Sequence, residues 1–267
     1  MRHQSPTSRG EAVLRVRGLE VGFGEKLVLD RLDLDLFRGE ILGVIGASGS
    51  GKSVLARTLI GLVPKRAGLI EVFGQDVDGL SGEARKRMEQ RWGVMFQHGA
   101  LFSSLTVAQN IQMPMRECLD LSEALLDELA LLKIEMVGLP PDAGAKSPAE
   151  LSGGMTKRAA MARALALDPE IIFLDEPTSG LDPVSAGEID ELILTLRASL
   201  DLTVMMITHD LNSLHAACDR IAAIAGGKVA VVGPPETLLR SEHPWVKSYF
   251  HGERGRTIFA DRLASSD

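Results

Sequence analysis

Residues 46–53 read Gly46-Ala47-Ser48-Gly49-Ser50-Gly51-Lys52-Ser53 and follow directly on the apolar run Ile41-Leu42-Gly43-Val44-Ile45. Few folds accommodate this order. The apolar run is a strand buried on both faces, and the glycines let the chain turn sharply from it into a helix. Backbone N–H groups then converge on one point, backed by the positive end of the helix, which suits a phosphate group. Lys52 is placed to reach the β- and γ-phosphates of a nucleotide, and the Ser53 hydroxyl to ligate Mg²⁺.

The 267 residues suffice for one large domain, or a domain with a small subdomain. Hydrophobic residues at 45% and charged residues at 24% permit a sizeable core. The formal net charge of −7, without a block of like charge, argues against a nucleic-acid partner held by broad electrostatic attraction. Cys118 and Cys218 lie far apart and form no metal-ligand spacing, as expected for reduced thiols in a cytosolic protein. Met1 to Glu11 has no apolar core of the signal-peptide type and is expected to be mobile. No stretch reaches the roughly 18 apolar residues of a membrane span, so any membrane role is expected to come through a partner.

Along the chain, alternation over Ala12 to Val21 predicts a half-buried strand pair, and Leu32, Leu34 and Leu36 a further strand. A helix is expected from Lys52 to Gly61, a strand over Leu69 to Gly74, a charged helix over Ser81 to Arg91 and a strand over Gly93 to Phe96. Thr106 to Glu117 and Ser122 to Val137 read as helices, the first kinked at Pro114. Ser152 opens another helix, followed by the apolar strand Ile171 to Leu174, a helix from Pro183 to Leu200, a strand over Thr203 to Ile207 and a helix from Leu211 to Cys218. Short strands near Ile221 and Val229 precede a helix start at Pro234-Pro235. Strands alternating with helices imply parallel βαβ units, and the all-helical stretch before residue 165 reads as an insertion.

Two further segments carry chemistry. Asp175 ends the strand Ile171-Ile172-Phe173-Leu174, where a carboxylate can meet the Mg²⁺ held by Ser53. Glu176, one residue on, is placed to orient or deprotonate an attacking water, although an acidic pair can also be a solvated strand cap. Ser152, Gly153 and Gly154 stand before a helix and form a second anion site, or simply an N-cap. The natural explanation for two anion sites and one nucleotide is that the second serves a nucleotide held by another subunit.

With these motifs in order, the chain resembles the ATP-binding cassette (ABC) ATPases over about residues 12–240. Leu151-Ser152-Gly153-Gly154-Met155 matches the family signature, with Met155 in place of the usual glutamine. The resemblance implies roles for further residues: Gln97 approaching Mg²⁺ and relaying to a membrane partner, and Ser179-Gly180-Leu181-Asp182 crossing a dimer contact. It also implies that His209 senses the γ-phosphate and that Phe23 stacks on adenine. Taken singly, Gln97 also reads as a solvated loop residue, His209 as a structural histidine, and Phe23 as core. The implied fold is α/β, a P-loop NTPase with a RecA-like parallel sheet core, an antiparallel β subdomain and a helical subdomain at about residues 98–165. The implied mechanism is a homodimer closing head to tail over two ATP molecules to drive an integral membrane permease.

Phe96-Gln97-His98-Gly99-Ala100-Leu101-Phe102, with Val107, Asn110, Pro114 and Arg116-Glu117, is similar to one ABC subgroup, the Mla (maintenance of lipid asymmetry) and Mce-associated ATPases. Members often carry methionine at the signature's end. That resemblance implies a permease partnered by an MCE-domain protein, phospholipid or other hydrophobic cargo, and a place on the cytoplasmic face of the inner membrane. An amino-acid importer and a non-transport ABC ATPase, such as a cell-division regulator, remain the alternatives. The segment 241–267 stands apart, and its Trp245, Tyr249, Phe250, Ile258 and Phe259 are expected to anchor on a neighbouring subunit, with a disordered tail as the alternative.

Overall fold

A computed structural model describes residues 10–264. Most of the segment expected to be mobile, residues 1–9, lies outside the described residues; Glu11 accepts a hydrogen bond from the Arg38 backbone. Two long strands, β1 (Ala12–Phe23) and β2 (Lys26–Phe37), pair antiparallel. Then come β3 (Ile41–Gly46), α1 (Lys52–Leu59), β4 (Ala67–Val72), β5 (Gln75–Asp76), α2 (Gly82–Glu89) and β6 (Trp92–Met95). A helical stretch follows: α3 (Val107–Cys118), α4 (Glu123–Met136) and α5 (Gly153–Ala164). The chain returns through β7 (Ile171–Asp175), α6 (Pro183–Leu200), β8 (Thr203–Ile207), α7 (Leu211–Ala217), β9 (Arg220–Ala225) and β10 (Lys228–Gly233). It ends in short helices α8 (Pro235–Leu239), α9 (Pro244–His251), α10 (Glu253–Ile258) and α11 (Ala260–Ala264).

The segment expected to be a strand pair is one strand. Its buried residues change parity, from Leu14 and Val16 to Leu19 and Val21, which would send them to opposite faces of a regular strand. A register shift between Val16 and Leu19 restores the phase, with Gly18 at φ +57° supplying the bulge. The Asp33 carboxylate accepts from the Gly18 N–H at 2.6 Å and fixes it. Pro114 lies inside α3, which continues past it to Cys118.

β2, β1, β4 and β5 form an antiparallel sheet, while the other six strands form a second sheet in the order β10-β9-β3-β8-β7-β6. In this second sheet β9, β3, β8, β7 and β6 run parallel, and β10 closes one edge antiparallel. Alternate residues of its strands serve two cores, as the two-residue period requires. Leu42, Val44, Phe173, Met205 and Ile207 pack toward the antiparallel sheet and Leu55 and Leu59 of α1. Ile41, Ile45, Ile172, Leu174, Val204 and Met206 pack toward the helices, α3 to α7. This is the expected α/β architecture: a parallel core sheet between an antiparallel sheet and a helical layer.

The C-terminal segment differs from expectation. Val246, Phe250 and Phe259 are fully buried in the same core as Leu214, Ala217 and Leu238 of their own chain. Phe250 and Phe259 meet edge to face, with ring centroids 5.3 Å apart. The apolar anchors were legible, but their identity does not say which surface receives them.

Candidate functional site

The parallel sheet gathers the chemistry at one edge. Asp175 pairs in register with Ile207, and Val44 does the same from the other side, so the loops after β3, β7 and β8 leave the sheet together. Ligands of open α/β sheets bind at this carboxyl edge. The loop after β3 carries Gly46 to Ser53. Gly51 has φ +104° and a Cβ there would lie 2.6 Å from Leu29 of β2, so only glycine fits. Ala47, Ser48, Gly49 and Ser53 are exposed. Helix α1 has neither a side-chain cap nor an acidic residue in its first turn, leaving its N–H groups open to an anion. Ser50 Oγ is buried without a hydrogen-bond partner. An uncapped helix start, an unpartnered hydroxyl and a glycine cradle fit a polyphosphate.

Lys52 Nζ donates to the Gly46 and Ala47 carbonyls at 2.7 and 3.2 Å. Burial lowers its pKa, and the carboxylates of Glu176 and Asp175 oppose that shift. Burial likewise raises the pKa of Asp175, as does Glu176, while Arg57, Lys157 and Lys52 pull it back down. Lys52, Asp175 and Glu176 therefore share one electrostatic neighbourhood. The metal donors expected here are oxygens: the Ser53 hydroxyl, the Asp175 carboxylate and the Gln97 amide. Among the described residues no group of three or more His, Cys, Asp or Glu forms a protein cage for a metal. A donor set with one carboxylate suits Mg²⁺, which takes most of its ligands from phosphate and water.

Glu176 lies just beyond β7 with φ +51°, a left-handed conformation uncommon for a side chain of its size. Its N–H donates to the Ile207 carbonyl at 2.8 Å. Its carboxylate lies 2.7 Å from His209 Nδ1, pairing a largely buried acid with a His209 side chain that is 69% exposed. The Tyr249 hydroxyl donates to the His209 carbonyl at 2.8 Å, so the C-terminal segment supports the His209 loop.

Gln97 is exposed in the loop after β6. Downstream, the buried Asn110 amide donates to the carbonyls of Phe102, Leu105 and Thr106, and its oxygen accepts from the Phe102 N–H at 2.7 Å. Asn110 thereby staples the loop that joins Gln97 to α3. Phe23, at the end of β1, is 56% exposed on the hairpin whose second strand touches Gly51.

Ser152 caps α5, its hydroxyl accepting from the Met155 N–H at 3.3 Å, with Gly153 and Gly154 in the first turn. Asp182 caps α6 by accepting from the N–H groups of Val184 and Ser185 and from the Ser185 hydroxyl, which holds its pKa down. Among the described residues, no hydrogen bond or ion pair joins the Ser152 loop to the Lys52 loop. Two residues escape sequence reasoning. Lys157 Nζ donates to the carbonyls of Gln97 and Glu176, and Arg163 donates to those of Gly99 and Ala100. Both sit on α5, a helix rich in alanine, where a basic residue gives no sign of facing inward.

Such a cassette, with a phosphate loop, a strand-end acid pair and a histidine facing it, defines a P-loop ATPase. The ABC transporter family profile matches residues 29–179, and the chain belongs to that family. It is 39% identical over 241 residues to the intermembrane phospholipid transport system ATP-binding protein MlaF of Haemophilus influenzae, covering 90% of this chain and 91% of that one. It is 38% identical to the probable ribonucleotide transport ATP-binding protein mkl of Mycobacterium leprae, covering 90% of this chain and 69% of that protein. The methionine import ATP-binding protein MetN 2 of Pseudomonas aeruginosa is also 38% identical, with 90% and 70% covered. Among solved structures, the dimeric cassette MJ0796 in a post-hydrolysis state with ADP and Pi superimposes with a TM-score of 0.75 at 27% identity, covering 83% of this chain and 98% of that one.

Proposed function

We propose that this chain is the ATP-hydrolysing subunit of a transporter that moves phospholipid, or another hydrophobic molecule, between the inner and outer membranes of a cell envelope. The observation that carries the cargo assignment is the similarity to MlaF, which spans nearly the whole of both chains. The resemblance of the Phe96 to Phe102 segment, together with Met155, points to the same subgroup. No helix among the described residues is long and apolar enough to cross a membrane. The chain works at the cytoplasmic face through a permease, with an MCE-domain protein as the further partner.

Two copies bind head to tail. The Gly46 to Ser53 loop of each holds the phosphates of one ATP, Phe23 stacks on the adenine, and Ser152, Gly153 and Gly154 of the other copy cap the γ-phosphate. Asp182 shapes the loop between the two sites. Ser53, Asp175 and Gln97 would hold Mg²⁺, which would neutralise charge on the phosphate oxygens. Glu176 orients the attacking water and accepts its proton, while His209 holds that carboxylate in place and contacts the γ-phosphate. Positioning and electrostatics suffice, since phosphoryl transfer asks little covalent chemistry of the protein.

Similarity to the methionine importer favours a second reading, an importer of a small solute with the same chemistry and another permease. A pull-down of the tagged chain from native membranes in mild detergent, with proteins and lipids identified by mass spectrometry, separates the two. A permease with an MCE-domain protein and bound phospholipid is expected. A solute permease with a substrate-binding protein would overturn the lipid assignment.

A further inference from the structure

Lys157 is buried, with 6% of its surface exposed, yet among the described residues its ammonium forms no direct ion pair. Its partners are two backbone carbonyls, those of Gln97 and Glu176, the second at 2.9 Å. Burial lowers its pKa, and the charges of Glu176 and Asp175 oppose that shift. Taking an ammonium out of water for two neutral acceptors is unfavourable. Nearby carboxylates reduce the cost but leave it a poor choice if stability alone were at stake.

The acceptors explain it. Glu176 is held in the left-handed region, a conformation that persists only where the surroundings over-determine it. Its N–H is tied to Ile207, its carboxylate to His209, and its carbonyl to Lys157, with the Ser179 N–H also approaching that carbonyl at 3.2 Å. Lys157 is the one of these holds that comes from the helical layer. It stands in the second turn of α5, the helix that Ser152 caps, and Arg163 on the same helix holds Gly99 and Ala100.

We propose that Lys157 is a positioning residue for hydrolysis: it locks the Glu176 peptide and the Gln97 turn to the helix that carries the Ser152 loop. This rests on the reading of Glu176 as the water-orienting carboxylate. Movement of the Ser152 loop against a second copy's nucleotide is then passed through α5 to the same chain's Glu176 and Gln97. Lys157 spends its ammonium on the Gln97 and Glu176 carbonyls, so its loss is expected to affect turnover and leave nucleotide binding alone.

The test is steady-state ATP hydrolysis by the full-length Lys157→Met, Lys157→Arg and Lys157→Gln variants, beside Glu176→Gln. Misplacing Glu176 by a fraction of an ångström is expected to lower kcat of Lys157→Met by about tenfold or more. KM for ATP should stay within about twofold, and Lys157→Arg, which keeps a charged donor, should recover part of kcat. Thermal melting confirms folding, and Lys157→Gln carries the same test if methionine disturbs it. Unchanged kcat in folded Lys157→Met and Lys157→Gln, with Glu176→Gln inactive, would overturn the role of Lys157 alone. Normal turnover by Glu176→Gln would overturn the reading of Glu176, and this inference with it.

Discussion

Asp190→Asn tests a buried carboxylate that ties together the loops flanking the site. Asp190 lies on α6 with 4% of its surface exposed. Its Oδ2 accepts from the Ser213 hydroxyl at 2.9 Å, which lies 3.3 Å from the Thr178 hydroxyl, while Oδ1 has no partner. Thr178 follows Glu176 by two positions and Ser213 sits on α7, just past His209. Burial pushes the Asp190 carboxyl up from an ordinary value of 3.8 to about 6; the Ser213 hydrogen bond opposes this and the charge of Asp210 adds to it. The folded protein thus holds the Asp190 proton more tightly than the unfolded chain does. Below about pH 3.8 both states are protonated and the group has no effect. Above about pH 6 both are ionised and the fold bears the full burial cost, about 3 kcal/mol. About 2 kcal/mol of that arises between pH 4.5 and 7.5. Asparagine removes the titration. Its melting temperature relative to the wild type should therefore rise by roughly 4–8 °C between those two pH values. Calorimetry on both proteins at both pH values reads this double difference, which cancels any pH-independent effect of the amide. A melting difference that is the same at both pH values would refute the argument.

Two other predictions concern the C-terminal segment and Phe23, the residue proposed to stack on the base. Phe250→Ala removes a fully buried ring that packs on Phe259 and Tyr249 of the same chain, and is expected to cost about 3–5 kcal/mol in urea unfolding. Weakened dimerisation with unchanged unfolding of the isolated chain would instead place this segment on a neighbouring subunit. Phe23→Ala is expected to leave thermal stability nearly unchanged, because the ring is mostly exposed, and to weaken ATP binding by roughly 1–3 kcal/mol in isothermal titration. Unaltered affinity would remove Phe23 from the adenine site.

The fold and the phosphate loop were legible where backbone geometry leaves few options. Gly51 must be glycine at φ +104°, and a buried parallel strand reads as an unbroken apolar run, as in Ile171 to Leu174. Helix starts were legible for the same reason: Thr106, Ser122, Ser152 and Asp182 each cap an orphan N–H in the structure. The β1 bulge was not, because a change of parity in the apolar pattern reads equally well as a break between two strands. Asp190 and Lys157 were missed because their meaning lies in partners distant in sequence. Asp190 looks like any acid on a long helix until Ser213 is brought against it. Lys157 looks like a solvated lysine until the Glu176 carbonyl appears beside it. Family resemblance implied that His209 senses the γ-phosphate but said nothing of its pairing with Glu176, and the structure puts the two side chains in contact.

The measurement that bears most directly on the account is ATP turnover and ATP-driven association of Glu176→Gln, with hydrolysis followed by phosphate release and mass by analytical ultracentrifugation. Loss of the carboxylate should lower turnover by roughly 100-fold or more, the scale of a general base, while ATP still binds and the closed dimer accumulates. Turnover near that of the wild type, or no ATP-dependent dimer, would contradict it.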